Sequence, residues 1–179
     1  AHVWSSDRRE FIDWMAGLGA ISLGYGDPDV DLAVKHQLCR GTIFGLSHPV
    51  EVEFAEEFCG ILPWGEDSQV RYGKNGSDAT AGAVRAARAI TGRDVIVSDG
   101  YHGWQDWTCP NPTGIPDVTR VLTRRLISGA TYYPRPAAYI VEPDLLDEVE
   151  IQRLRGHCRE TGALLIFDEV LTGFRVPEL

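Results

Sequence analysis

Gly162-Ala163-Leu164-Leu165-Ile166-Phe167-Asp168-Glu169-Val170-Leu171-Thr172-Gly173-Phe174-Arg175 is the stretch whose reading decides the fold. Residues 163–167 form an unbroken apolar run without alternation, the pattern of a strand buried on both faces of a parallel sheet. Two acids, Asp168 and Glu169, follow at once. Ligands of open α/β sheets sit at the carboxyl ends of the strands. An acid in that position is either a ligand contact or a buried structural charge, for instance one paired with Arg175. Spacing alone leaves both readings open.

Upstream of this stretch, strand and helix signals alternate. Val70-Arg71-Tyr72 reads as a short strand and residues 74–78 as a loop. Residues 79–90 read as an alanine-rich helix closed by Thr91-Gly92, and Val95-Ile96-Val97 as the next strand. Residues 105–117, rich in Pro, Asn and Gly, predict a long loop. Tyr139-Ile140-Val141 predicts a strand, and Ile151, Leu154 and Cys158 mark a helix that leads into the opening stretch. Alternation of this kind predicts an α/β fold with a mainly parallel, incomplete sheet flanked by helices.

Nearer the N-terminus, Phe11, Ile12 and Trp14 suggest a hairpin arm, and Gly24 to Pro28 a turn that opens a helix. Val30, Val34 and Leu38 give that helix an apolar stripe. A second helix begins near Glu51, presents Phe54, Phe58, Ile61 and Leu62, and stops at Pro63. The expected organisation is an N-terminal arm and helix over 1–50, then a sheet domain over 51–179.

Composition narrows the function classes. At 44% hydrophobic and 24% charged, the 179-residue chain is ordinary globular protein, neither disordered nor fibrous. A net charge of -9 disfavours nucleic-acid and anionic-membrane partners, which reward basic patches. No apolar run approaches membrane-spanning length, and no signal peptide is legible. Cys39, Cys59, Cys109 and Cys158 have no paired spacing, so neither a zinc site nor a disulfide framework is expected, and the pattern suits the cytoplasm. The first residue is Ala1 and the sequence stops soon after a buried strand, so a fragment is expected.

Three places carry chemistry. Asn75-Gly76-Ser77-Asp78 stands between a strand and a helix, where unpaired N–H groups and the positive dipole end suit a phosphate. Gly76 would admit the phosphate and Ser77 would donate to it; alternatively Ser77 only caps the helix. Neither a nucleotide-triphosphate loop nor a dinucleotide fingerprint is present. Tyr101-His102-Gly103-Trp104 follows a strand, and an aromatic there is able to stack on a flat ring or simply pack. His102 has no second ligand at metal-binding spacing. Asp168, if buried, needs a partner, and a protonated heterocyclic nitrogen would serve. Val170 shares its side if the strand runs on, and would press on the same ring. Together these are fittings for pyridoxal phosphate.

On these residues the chain resembles the class III aminotransferases of the fold type I pyridoxal-phosphate enzymes. Phe11-Ile12-Asp13-Trp14, Gly76-Ser77-Asp78-Ala79, Thr91-Gly92-Arg93, Tyr101-His102-Gly103, Val141-Glu142-Pro143 and the Asp168 to Arg175 motif carry the likeness. The wording is nearest the glutamate-1-semialdehyde aminomutase-like branch. The resemblance implies that Gly76 and Ser77 bind the phosphate, Tyr101 stacks on the ring, Asp168 pairs with the pyridine nitrogen, and Val170 packs on the other face. It places Glu142 beside the active site.

The resemblance also implies amino transfer between a small-molecule donor and a carbonyl acceptor in a cytoplasmic homodimer. The Schiff-base lysine of that family lies beyond the Asp-Glu-Val motif. This sequence holds only Lys35 and Lys74, neither of which matches it, so no turnover is expected from this chain alone. The stretch from Gly114-Ile115-Pro116 to Glu142 is shorter than in the family, implying that a helix or edge strand is missing there. The alternative is a non-catalytic binding or interaction module.

Overall fold

The computed structural model describes residues 2–63, 68–108, 113–127 and 132–175. By its contacts the chain divides into Ala1–Val70 and Arg71–Leu179. These units assign the second helix to the N-terminal part rather than to the sheet.

In the first unit β1 (His2–Trp4) and β2 (Glu10–Ile12) pair antiparallel, Val3 opposite Phe11, which is the expected hairpin arm. Helix α1 (Pro28–Arg40) starts where Pro28 was expected to open it, because Asp27 accepts from the amides of Asp29 and Val30. Helix α2 (Pro49–Ile61) is capped by His48, with Glu51 reaching back to the His48 amide. Neither helix buries a residue. Between hairpin and α1, Ala16, Gly17, Leu18 and Gly19 all have positive φ, a left-handed turn closed by Gly19 N–H donating to Met15 O at 3.0 Å.

The second unit is built on a four-stranded sheet. Helix α3 (Gly76–Thr91) precedes β3 (Ile96–Asp99), and one turn of helix, α4 (Asp117–Arg120), precedes β4 (Thr123–Arg125). Then come β5 (Ala138–Val141), a 3₁₀ turn (Pro143–Leu145), α5 (Glu148–Thr161) and β6 (Leu164–Phe167). The strand order is β4-β3-β5-β6 and every pairing in this sheet is parallel. The chain therefore reverses direction across the sheet at β3, and the crevice at the carboxyl ends of β3 and β5 is the ligand position for such a topology.

Alternation along the strands sends side chains to two cores. Ile96, Ala138 and Ile140 pack with Val84 and Ala87 of α3, while Val97, Tyr139 and Val141 pack with Leu154 and Cys158 of α5. Burial pushes the Tyr139 phenol up to about 12 and the Cys158 thiol up to about 11. The Tyr139 hydroxyl donates to Tyr133 O at 2.9 Å. At the opposite end from the crevice, Arg93 donates to Pro136 O (3.0 Å) and Thr161 O (2.8 Å), tying the start of β5 to the last turn of α5.

Several expectations need correction. Residues 70–72 are not part of a strand. An edge strand that the sequence did not announce, β4, precedes β5; its Thr-Arg-Arg sequence lacks the apolar run of a buried strand. The described part of the β4-to-β5 crossover contains no helix. The opening run, β6, is half-buried rather than enclosed, since it lies at the sheet edge; β5 is the strand buried on both faces. Cys39, Cys59 and Cys158 are free thiols, and Cys109 lies outside the described residues. No described helix is long and apolar enough to cross a membrane.

Candidate functional site

The crevice is assembled from three strand ends and one helix start. Beyond β3 the chain turns through Gly100-Tyr101-His102-Gly103, with φ of 103° at Gly100 and 111° at Gly103. Both glycines are required by conformation and by space. A Cβ at Gly100 would strike the Glu142 carboxylate, with its Cδ only 2.9 Å away, and one at Gly103 would strike the Ser77 side chain, with its Cβ at 2.9 Å. The turn is thus pressed between the end of β5 and the first turn of α3. The Thr80 hydroxyl fastens it further by donating to His102 O at 2.8 Å.

Asp168 stands one residue beyond β6, its amide continuing the ladder to Val141 O at 2.8 Å. Its carboxylate is buried, and its partner is His102 rather than an arginine: His102 Nδ1 lies 2.8 Å from Asp168 Oδ2, with the two side chains 0% and 5% exposed. The other ring nitrogen, Nε2, lies 2.8 Å from Asp99 O. A carbonyl only accepts, so Nε2 carries a hydrogen. A further proton then sits between Nδ1 and Oδ2, and the pair buries no net charge.

The start of α3 completes the crevice. Asn75 is the cap, its Oδ1 accepting from the Asp78 amide at 3.0 Å, which removes the reading of Ser77 as the capping residue. The helix consequently begins at Gly76 instead of residue 79. Gly76 faces Val170, whose Cγ2 lies 3.0 Å from where a Cβ would stand. Val170 reaches that position through a turn. The backbone leaves the extended conformation after Asp168, and the Val170 amide donates to Asp168 Oδ1 at 3.2 Å. The expected same-side alternation of Asp168 and Val170 does not apply.

Gly76, Ser77, Tyr101, Glu142, Asp168 and Val170 therefore fall in one contiguous neighbourhood. The hydrogen bond from the Tyr101 amide to the Glu142 carboxylate links two of them directly. Tyr101 and Val170 are 62% and 63% exposed, so apolar surface stands open above a buried acid. A cavity of about 560 Å³ opens beside Tyr101 at the ends of β3 and β4, lined also by Trp107, Arg120 and Arg124. Lys35 lies in α1, 3.7 Å from Asp31, and Lys74 precedes α3. Sequence reasoning missed His102 and Thr80 as parts of the site. The only available signal for His102 was its place directly after Tyr101 at a strand end, because its partner is 66 residues away.

The family model described as "Aminotransferase class-III" matches residues 1–110. The chain is 39% identical to glutamate-1-semialdehyde 2,1-aminomutase of Pyrobaculum calidifontis, covering 96% of this chain and 45% of the relative. That match extends over 201 residues, more than the 179 here, so the relative carries additional residues inside the matched region. Among solved structures, FumI of Sphingopyxis sp. MTA144, in a PLP form, superposes with a TM-score of 0.81 at 31% identity, covering 98% of this chain and 47% of FumI. An omega-transaminase from Sphaerobacter thermophilus gives a TM-score of 0.80 at 27% identity, with 93% and 46% covered. The chain spans about half the length of the curated relatives it matches.

Proposed function

The chain belongs to the class-III aminotransferase family, and from that premise we propose that its crevice holds pyridoxal phosphate for amino-group transfer. The observation that carries this reading is the buried Asp168 at the end of β6, paired with His102 and set beside Val170 and the start of α3. The residues fit the group. An anion is served by the unpaired N–H groups at the start of α3, which Asn75 leaves partly uncapped, and by the Ser77 hydroxyl. A flat ring is served by the exposed faces of Tyr101 and Val170. A ring N–H is served by Asp168, which retains acceptor capacity because a carboxylate offers about four lone-pair sites.

Bound there, pyridoxal phosphate supplies the electron sink that lets an amino group and a proton move between carbon centres. The chain's own residues orient and tune it. Gly76 and Ser77 take the phosphate, and Tyr101 and Val170 fix the ring plane and exclude water from it. Asp168 accepts the pyridinium N–H, and His102, hydrogen-bonded to Oδ2 through Nδ1, holds the carboxylate in place. A carboxylate at Asp168 beside the ring N–H favours the protonated pyridine.

The substrates on this reading are a small-molecule amino donor and a carbonyl acceptor, and the assembly is a cytoplasmic homodimer. With only Lys35 and Lys74 available, and neither at a strand's carboxyl end, binding by this chain itself is reversible and non-covalent, without turnover. The test is a titration with pyridoxal phosphate followed by absorbance and intrinsic fluorescence. Saturable binding is expected, lost in Asp168→Ala and weakened in Ser77→Ala. Absence of saturable binding refutes the cofactor site. A borohydride-trapped adduct that disappears in Lys74→Ala refutes the non-covalent mode.

A further inference from the structure

We propose that Glu142 is a positioning residue: its carboxylate, delivered from the end of β5, holds the Tyr101 amide and thereby fixes the turn that carries the Tyr101 ring and the His102 imidazole. The turn is pinned at its far end by Thr80 and Ser77 of α3 and at its middle by Asp168. At its near end the side chain of Tyr101 is exposed and gives no anchorage. The bond from Tyr101 N–H to Glu142 is the tie there. A backbone N–H bonded to a carboxylate is among the stronger hydrogen bonds.

The arrangement is built from both sides. Gly100, at φ 103°, leaves the space above its Cα to the Glu142 side chain, whose Cγ and Cδ both stand 2.9 Å from the missing Cβ. Glu142 in turn has little freedom. It follows the fully buried strand β5 and precedes Pro143, which disfavours the helical region for the residue before it, and Glu142 sits extended at φ -83°, ψ 122°. Its carbonyl accepts from Leu145 N–H at 3.1 Å, closing the 3₁₀ turn behind it. The carboxylate is therefore a fixed acceptor on a rigid base, and the Tyr101 turn is fitted against it. A residue that only met a ligand would require neither the glycine nor the amide bond.

The cofactor arm of the test rests on the pyridoxal-phosphate reading, and the amide arm does not. On the full chain, hydrogen exchange at the Tyr101 amide is measured by NMR. Protection is expected in the wild type, and an amide exchanging as freely as an unstructured one overturns the proposal. Glu142→Ala should speed this exchange by about ten- to a hundredfold, the worth of one lost bond to a charged acceptor. Glu142→Gln keeps an oxygen acceptor and should stay within about threefold of wild type.

Pyridoxal-phosphate affinity, read by absorbance, should fall in Glu142→Ala and persist in Glu142→Gln. Equal weakening in both variants would show that the charge meets the ligand, and the positioning role would be wrong. Should Glu142→Ala fail to fold by circular dichroism, the wild-type protection and Glu142→Gln decide the matter by the same criteria. A wild type that protects Tyr101 but binds no pyridoxal phosphate leaves the positioning role standing and removes the cofactor reading alone.

Discussion

Both units carry apolar helix patterns and put them to opposite use. In α1, Val30, Val34 and Leu38 form the stripe read from sequence, yet all three are exposed, as is Trp14 at 89%. In the sheet unit, Val84 and Ala87 of α3 and Leu154 and Cys158 of α5 are buried, because each helix meets a strand face. Helical periodicity is a local property, whereas burial depends on a second layer. The polar pairs divide the same way: Arg9–Asp7 lies in solvent and His102–Asp168 in the interior.

The largest contrast should appear on truncating one residue from each stripe. Ile140→Ala, at a position with no exposure, is expected to cost about 4 kcal/mol in urea unfolding, against under about 0.5 kcal/mol for Val34→Ala. Equal costs would erase the distinction between the units. Next is the ion-pair comparison. Asp168→Ala strips a buried partner from His102 and should cost about 3 kcal/mol, while Asp7→Ala should cost less than about 1 kcal/mol.

Alkaline titration gives a smaller effect confined to the sheet unit. Tyr139 and Cys158 are neutral when protonated, and burial raises them from 10.0 to about 12 and from 9.0 to about 11. Their contribution is whole below the unfolded values and is lost as pH rises through the folded ones. Melting temperature should fall from about pH 9 upward, with Tyr139 accounting for roughly 2 kcal/mol. Tyr139→Phe should remove the part of the fall between pH 10 and 12. The smallest effect belongs to the first unit. Leu18 holds φ 57°, and Leu18→Gly should stabilise that unit slightly in urea unfolding, by no more than about 1 kcal/mol.

What was legible in the sequence follows the same division between local and distant causes. Pro28, Gly92 and Gly162 punctuate helices through the backbone geometry of a few neighbouring residues, and they read correctly, whereas α3 starts three residues earlier than expected, with Asn75 rather than Ser77 as its cap. Strand β4 did not, because Thr123-Arg124-Arg125 pairs along one side only and needs no apolar run. The apolar run of β6 promised enclosure on both faces, but its place at the sheet edge halves its burial. Within the site, Ser77, Tyr101, Asp168 and Val170 stood out by type and spacing. The His102 pairing did not, since its cause is a register between strand ends that no local window contains.

The strand order has a consequence for how the sheet comes into being during synthesis. Strand β3 lies inside the sheet, yet it emerges from the ribosome before either neighbour, with both edges bare. Its first partner, β4, arrives only after α4, and its second, β5, only after a further crossover. The pairing that brings Gly100 to Glu142 therefore closes late and between distant residues, which makes for slow, high-contact-order folding. Until β5 and α5 arrive, Val97 lacks its core partners beside an unpaired edge, the state in which a nascent chain gains most from a chaperone.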